Sequence, residues 1–161
     1  MGLPQNYALP TMDDDTKVNI PFPAATKQAA AEINGVKTDV MSVSFADKIM
    51  ITITQGGRIA QWVTIPLLSD NPTQSDPYFQ TLSPEEDGLL PAARFQPRTL
   101  LGAGGPDREA LGQLYASQIA HAITTKSPQE DRSLMLGLGL AKVDFDREFF
   151  LKVVDLVLSI I

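Results

Sequence analysis

His121 is the only histidine in the chain and cysteine is absent, so acid–base or metal chemistry would have to rest on carboxylates and one imidazole. Thiol nucleophiles, thiolate metal sites and disulfides drop out together. Two acidic runs have the residue types such chemistry needs. Glu85, Glu86 and Asp87 could pair as acid and base, but their Pro-, Ser- and Gln-rich surroundings offer nothing to fix two carboxyls at a set separation. Asp13, Asp14 and Asp15 would suit a hard cation, yet no second ligand cluster lies near them, and they read as a solvated acidic tail. The turn Leu101-Gly102-Ala103-Gly104-Gly105 stands before a helix, where phosphate can bind. No Lys-Ser or Lys-Thr follows it, Pro106 removes an N–H donor and Asp107 puts negative charge where phosphate would sit, so the turn reads as structural. At helical spacing His121 falls on the flank of its helix, at the surface or its boundary, and no serine has a Gly-x-Ser-x-Gly context. The residues predict no catalytic, cofactor-binding or metal site, and a protein that is not an enzyme.

Composition narrows the class further. The 161 residues suit one domain with a real core, without disulfides or metals to hold it. A net charge of −6 argues against a broad electrostatic grip on nucleic acid or anionic lipid. The opening residues have neither a basic n-region nor an apolar run, and Asn6 stands where a myristoylation signal needs Ser or Thr. The apolar run from Val153 to Ile161 is too short to span a bilayer. These features predict a soluble intracellular protein.

The elements available to position anything are legible as strands and helices. Residues 1–25 are rich in proline, without sustained periodicity, and read as a flexible arm ahead of a single α+β domain over 26–161. Between Thr26 and Ile65 short alternating segments are joined by the turns Asn34-Gly35, Ala46-Asp47 and Gly56-Gly57, the pattern of an antiparallel β-meander sheet. In Val36 to Phe45, Met41, Val43 and Phe45 alternate with Val40, Ser42 and Ser44, and the first set is assigned to the core. In Lys48 to Gln55 the core set is Ile49, Ile51 and Ile53, and in Arg58 to Ile65 it is Ile59, Val63 and Ile65. Gly56-Gly57 is expected to close a hairpin like the one at Asn34-Gly35. The segment from Leu68 to Pro97 is dense in proline and reads as a long loop, with Tyr78, Phe79 and Phe95 as its only large aromatic residues. Arg98 to Leu101 reads as a short strand. A helix capped by Asp107 follows, with Leu111, Leu114, Tyr115, Ile119, Ala122 and Ile123 on its apolar stripe. In Leu134 to Leu140 leucine fills one face while Gly137 and Gly139 leave the other open to close packing.

Two surfaces then have more apolar character than a closed domain needs. The last helix, from near Asp146, keeps its polar residues Glu148, Lys152, Asp155 and Ser159 in one narrow stripe and is apolar elsewhere. On the second sheet face Met50, Thr52, Thr54, Ala60, Trp62 and Thr64 form an uncharged mixed surface. Helices split across both faces would bury it; helices confined to the aliphatic face would leave it to a second chain. These six residues are the candidate protein interface.

The element order, with Asn34-Gly35-Val36, Ser44-Phe45-Ala46-Asp47-Lys48-Ile49, Thr54-Gln55-Gly56-Gly57-Arg58-Ile59 and Thr99-Leu100-Leu101-Gly102, resembles the proteasome assembly chaperone 3 family over Thr26 to Leu67 and Arg98 to Ser159. The resemblance implies a non-enzymatic chaperone without a cofactor. It would dimerise with itself or with the related assembly chaperone 4, and help order proteasome α-type subunits into the core's first ring, in the cytoplasm and also the nucleus. The arm before Thr26 and the Leu68 to Pro97 loop look longer than the family pattern requires. The terminal Leu158-Ser159-Ile160-Ile161 lacks the hydrophobic-tyrosine-any tail of other assembly factors, so binding is expected to use a folded surface. The rival reading is a roadblock- or longin-like dimerising adaptor in trafficking or signalling.

Overall fold

The computed structural model describes residues 24–68, 95–102 and 104–161. The 1–25 arm up to residue 23, and residues 69–94 of the long loop with Tyr78 and Phe79, lie outside them. The chain order is β1 (Ala25–Ile33), β2 (Val36–Ser44), β3 (Lys48–Gln55), β4 (Gln61–Pro66), β5 (Arg98–Leu101), α1 (Pro106–Lys126), β6 (Ser133–Gly139) and α2 (Arg147–Leu158). Asn34 (φ 51°) and Gly35 (φ 77°) make the two-residue turn that joins β1 to β2. The next hairpin closes as tightly, with the Phe45 N–H donating to the Lys48 carbonyl at 2.9 Å across Ala46-Asp47.

An α+β domain with two helices and a mostly antiparallel six-stranded sheet results, in the order β1-β2-β3-β6-β4-β5. Its meander runs through β1, β2 and β3 only. Instead of the hairpin expected at Gly56-Gly57, the Gln55–Arg58 bridge is isolated, and β6 inserts between β3 and β4, parallel to β3 and antiparallel to β4. Gly139 is what lets the chain cross: a Cβ there would lie 1.6 Å from the Arg58 carbonyl oxygen, so the Arg58–Ile59 backbone passes directly over β6.

Both helices cover one face. The tight Ala46-Asp47 loop fixes the β2–β3 register, pairing Ser44 with Ile49, Ser42 with Ile51 and Val40 with Ile53. Since Ile49, Ile51 and Ile53 are buried under the helices, the β2 residues on the core side are Thr38, Val40 and Ser42. The core assignment of Met41, Val43 and Phe45 is therefore reversed; these residues belong to the other face, because hydrophobicity alone cannot choose a side where turn geometry has already chosen it. Two of the buried polar residues on the core side, Thr38 and Gln55, satisfy each other, whereas Gln61 Oε1 and the Tyr115 hydroxyl have no partner among the described residues. Gln55 Nε2 donates to Thr38 Oγ1 at 3.0 Å, and Gln55 Oε1 accepts from the Ala141 N–H at 2.9 Å.

Leu111, Tyr115, Ile119 and Ile123 from α1 and Phe149, Val153 and Val157 from α2 close the core over Leu134, Leu136, Leu138, Val63 and Ile65. Leu114, expected on the α1 stripe, is exposed, and Ala116 and Ala120 are buried instead. Helix α1 starts at Pro106 with Gly105 (φ 110°) as its N-cap residue and no side-chain cap, not at an Asp107 cap. Proline suits that first position because its missing N–H is not needed there. Helix α2 begins as its sequence predicts, the Phe149 N–H donating to Asp146 Oδ2 at 2.8 Å. Its apolar excess is partly absorbed by Phe150, whose ring centroid lies 4.6 Å from that of Tyr115. Leu151 and Leu158 stay exposed. Phe95, at the return of the long loop, is buried in the core with Leu67.

Candidate protein-binding face

Strand pairing brings the open-face residues into two continuous rows across all six strands. One row runs Gln28, Met41, Thr52, Gly137, Trp62, Leu101; the next runs Thr26, Val43, Met50, Met135, Thr64, Arg98. Thr54 continues the face between Asp39 and Gly139. Met50, Thr52, Thr54, Trp62 and Thr64 are thus neighbours on one face, and among the described residues no helix covers it. Ala60 lies just ahead of β4, where its N–H donates to the Leu138 carbonyl at 2.9 Å. A Cβ on Gly102, held at φ +80°, would stand 2.0 Å from the Ala60 carbonyl oxygen, so the Gly-rich turn serves close backbone approach.

The local chemistry of the face is set by small and flexible residues. Gly137 carries the indole of Trp62: a Cβ there would come within 2.9 Å of Trp62 Cζ3, so the ring lies against the β6 backbone. Met41, Met50 and Met135 are half-buried on the same face, and Leu101 is 68 % exposed at the β5 edge. Thr52 is sunk to 9 % exposure and Thr64 Oγ1 donates to the Leu134 carbonyl at 3.1 Å, so neither threonine presents a free nucleophile. Charge sits at the margins of the described face, with Glu32, Lys37 and Asp39 toward β1, Lys48 at the start of β3 and Arg98 on β5. Lys37 pairs with Asp39 at 3.2 Å. Met41, Val43, Met135 and Leu101 were not among the residues expected here. The length of the Ala46-Asp47 loop could have given the first two, whereas Met135 and Leu101 needed the long-range pairing of β6 and β5 with β4.

Away from the open face, the titratable groups that the fold perturbs serve structure. Glu130 accepts from Arg132 Nε and Nη2, each at 2.7 Å, and Arg132 Nη1 donates to the Phe45 carbonyl at 3.1 Å. Those hydrogen bonds hold the Glu130 carboxyl below the usual carboxylate range and raise the Arg132 guanidinium further. Burial, with a smaller contribution from the Asp144 charge, pushes the Tyr115 phenol up. Half-buried His121 sits on the α1 flank. No three His, Asp or Glu side chains gather as a metal site among the described residues, and no described helix is long and apolar enough to cross a membrane.

No curated protein matches the sequence. The fold is similar to that of a chain in the crystal structure of a novel chaperone complex for yeast 20S proteasome assembly, with a TM-score of 0.54, 16 % identity, and coverage of 84 % of this chain and 97 % of that one. The family description proteasome assembly chaperone 3 matches residues 51–160, which span most of β3, the inserted β6 and both helices. With more than half of its length matched, the chain belongs to the proteasome assembly chaperone 3 family.

Proposed function

We propose that the chain is a non-enzymatic chaperone that dimerises, with itself or with the related assembly chaperone 4, and helps order α-type subunits during assembly of the proteasome α-ring. It acts in the cytoplasm and nucleus, by reversible burial of the open sheet face and without a cofactor or covalent step. Met50, Thr52, Thr54, Ala60, Trp62 and Thr64 form the centre of the contact, with Met41 and Met135 beside them. The observation that carries this reading is the segregation of both helices to the opposite face, which leaves an uncharged, Trp- and Met-bearing centre with charge at its margins. Interface cores have that composition.

Sedimentation velocity of the purified chain, alone and with assembly chaperone 4, tests the dimer, and co-purification with mass spectrometry tests the α subunits. Trp62→Glu puts a charge at the centre of the face and is expected to weaken dimerisation by at least roughly tenfold, the effect of a central aromatic anchor, while the far-UV spectrum is kept. An unchanged dimer would remove the open face from the contact. Capture of GTPase or vesicle components in place of α subunits would favour the adaptor reading.

A further inference from the structure

At one end of the sheet, the carboxyl ends of the parallel neighbours β3 and β6 open into a cleft of about 530 Å³ that includes Gln55, Arg58, Ala60, Arg108, Gly139 and Ala141. Among the described residues Arg58 and Arg108 are the only charged ones lining it, in a chain whose net charge is −6. Neither pairs with a carboxylate among the described residues. The cavity at the other end of the sheet provides the contrast. There Arg132 is engaged by Glu130 and Lys126 Nζ donates to the Ile161 carbonyl, leaving Lys27 as the one lining cation without a partner of either kind among the described residues.

The two arginines stand on fixed supports. The Arg58 backbone is held over Gly139, where no Cβ fits. Arg108 lies along Gly104, where a Cβ would sit 3.3 Å from its Cδ, and its carbonyl accepts from Gln61 Nε2 at 2.9 Å. Gln55 is already engaged with Thr38 and Ala141, so the guanidinium groups are what the cleft offers a ligand. Guanidinium forks match carboxylates in geometry and are less costly to desolvate than an ammonium. A concentrated phosphate charge fits less well, because Asp107 and Glu109 flank Arg108 on the first turn of α1. Carboxylates spread along a chain can meet the two arginines separately.

We propose that this cleft binds an acidic polypeptide segment of a protein partner, with one carboxylate on Arg58 and another on Arg108. The site fits a chaperone's protein clientele and draws on the family membership; it adjoins the open-face contact at Ala60, while its two cations are not among that contact's residues.

The test uses the full chain and a fluorescein-labelled oligo-glutamate peptide, with an oligo-glutamine peptide as control, followed by fluorescence anisotropy. The glutamate peptide is expected to bind at about 50 mM salt and to be released at about 500 mM. Arg58→Ala and Arg108→Ala should each weaken it roughly threefold to fivefold, and the double variant by about tenfold or more. Lys126→Ala, at the other end of the sheet, should leave it unchanged. Trp62→Glu should also retain peptide binding, which separates this site from the open-face contact. Arg58 is exposed and its variant carries the test even if Arg108→Ala fails to fold. Equal binding of the glutamine peptide, unchanged affinity in Arg58→Ala, or binding of tripolyphosphate without binding of the glutamate peptide would overturn the proposal.

Discussion

The helix-covered face and the open face of the sheet are made by the same strands, one residue apart, and they solve different problems. Leu134, Leu136 and Leu138 project beneath the helices and are buried, while Met135, Gly137 and Gly139 look the other way. The first set is branched and fills volume tightly, as a core must. The second combines a flexible thioether with two bare backbone positions, one of which seats an indole. Position along a strand therefore tells little here; parity tells nearly everything. A face built for permanent burial tolerates little change in volume, whereas the open face keeps adaptable side chains and confines charge to its margin.

The sharpest break in that comparison comes from truncating adjacent residues of β6. Leu136→Ala removes a fully buried side chain and should cost about 3 kcal/mol of unfolding free energy, because the lost transfer energy is joined by a cavity. Met135→Ala, on the half-buried side, should cost less than about 1 kcal/mol under conditions where the chain is monomeric. Urea denaturation of the two variants, at a protein concentration where sedimentation shows a monomer, measures both. Equal losses would mean that the open face is packed as tightly as the core.

A smaller effect, about 1–2 kcal/mol, is expected from Gly137→Ala. The new methyl would stand within 2.9 Å of Trp62 Cζ3, so the ring must lift from β6. Trp62 is the only tryptophan, and its fluorescence reports the displacement directly. A red-shifted emission with far-UV signal retained is the predicted outcome; an unchanged spectrum would show that the indole does not rest on Gly137 in solution.

Local patterns carried much of this architecture into the sequence. Alternation marked the strands, Asn34-Gly35 and Ala46-Asp47 marked their hairpins, and Asp146 marked the start of α2. The candidate open-face residues Met50, Thr52, Thr54, Trp62 and Thr64 were legible as one face of two strands, since period-2 alternation is local. The insertion of β6 between β3 and β4 was not, because Gly56-Gly57 looks the same whether the next strand pairs beside it or one strand beyond. Gly137 and Gly139 announced that something packs closely, but only the fold reveals that it is Trp62 at one and the Arg58–Ile59 backbone at the other. The Arg58 and Arg108 cleft was hidden for the same reason: its two cations meet only through the β3–β6 pairing and the placement of α1. The side taken by Met41 and Val43 was recoverable in principle. A two-residue loop fixes register, and register outranks hydrophobicity in choosing the face.

The two faces stay distinct only while β6 holds its register, since a slip of one residue would turn its leucines toward the open side. Arg132, immediately ahead of β6, bonds the Phe45 carbonyl at the β2–β3 turn and is itself held by both oxygens of Glu130. The Ser133 N–H adds a bond to the Asp47 carbonyl at 3.2 Å. Glu130→Gln keeps the shape but removes the charge, and should cost about 1 kcal/mol at neutral pH, the net worth of an ordinary intramolecular hydrogen bond. The pH dependence follows from the sign of the shift. Because the folded carboxyl titrates below its unfolded range, its contribution is present above the ordinary glutamate range and is lost as pH falls through the depressed folded value. The wild type and Glu130→Gln should therefore differ in unfolding free energy at pH 7 and converge in acid, below the ordinary glutamate pKa of about 4.3. Urea titrations of both proteins across that range measure the convergence. A difference that persists unchanged in acid would mean that the glutamine costs stability through packing, and that the Glu130–Arg132 pair does not fix the entry to β6.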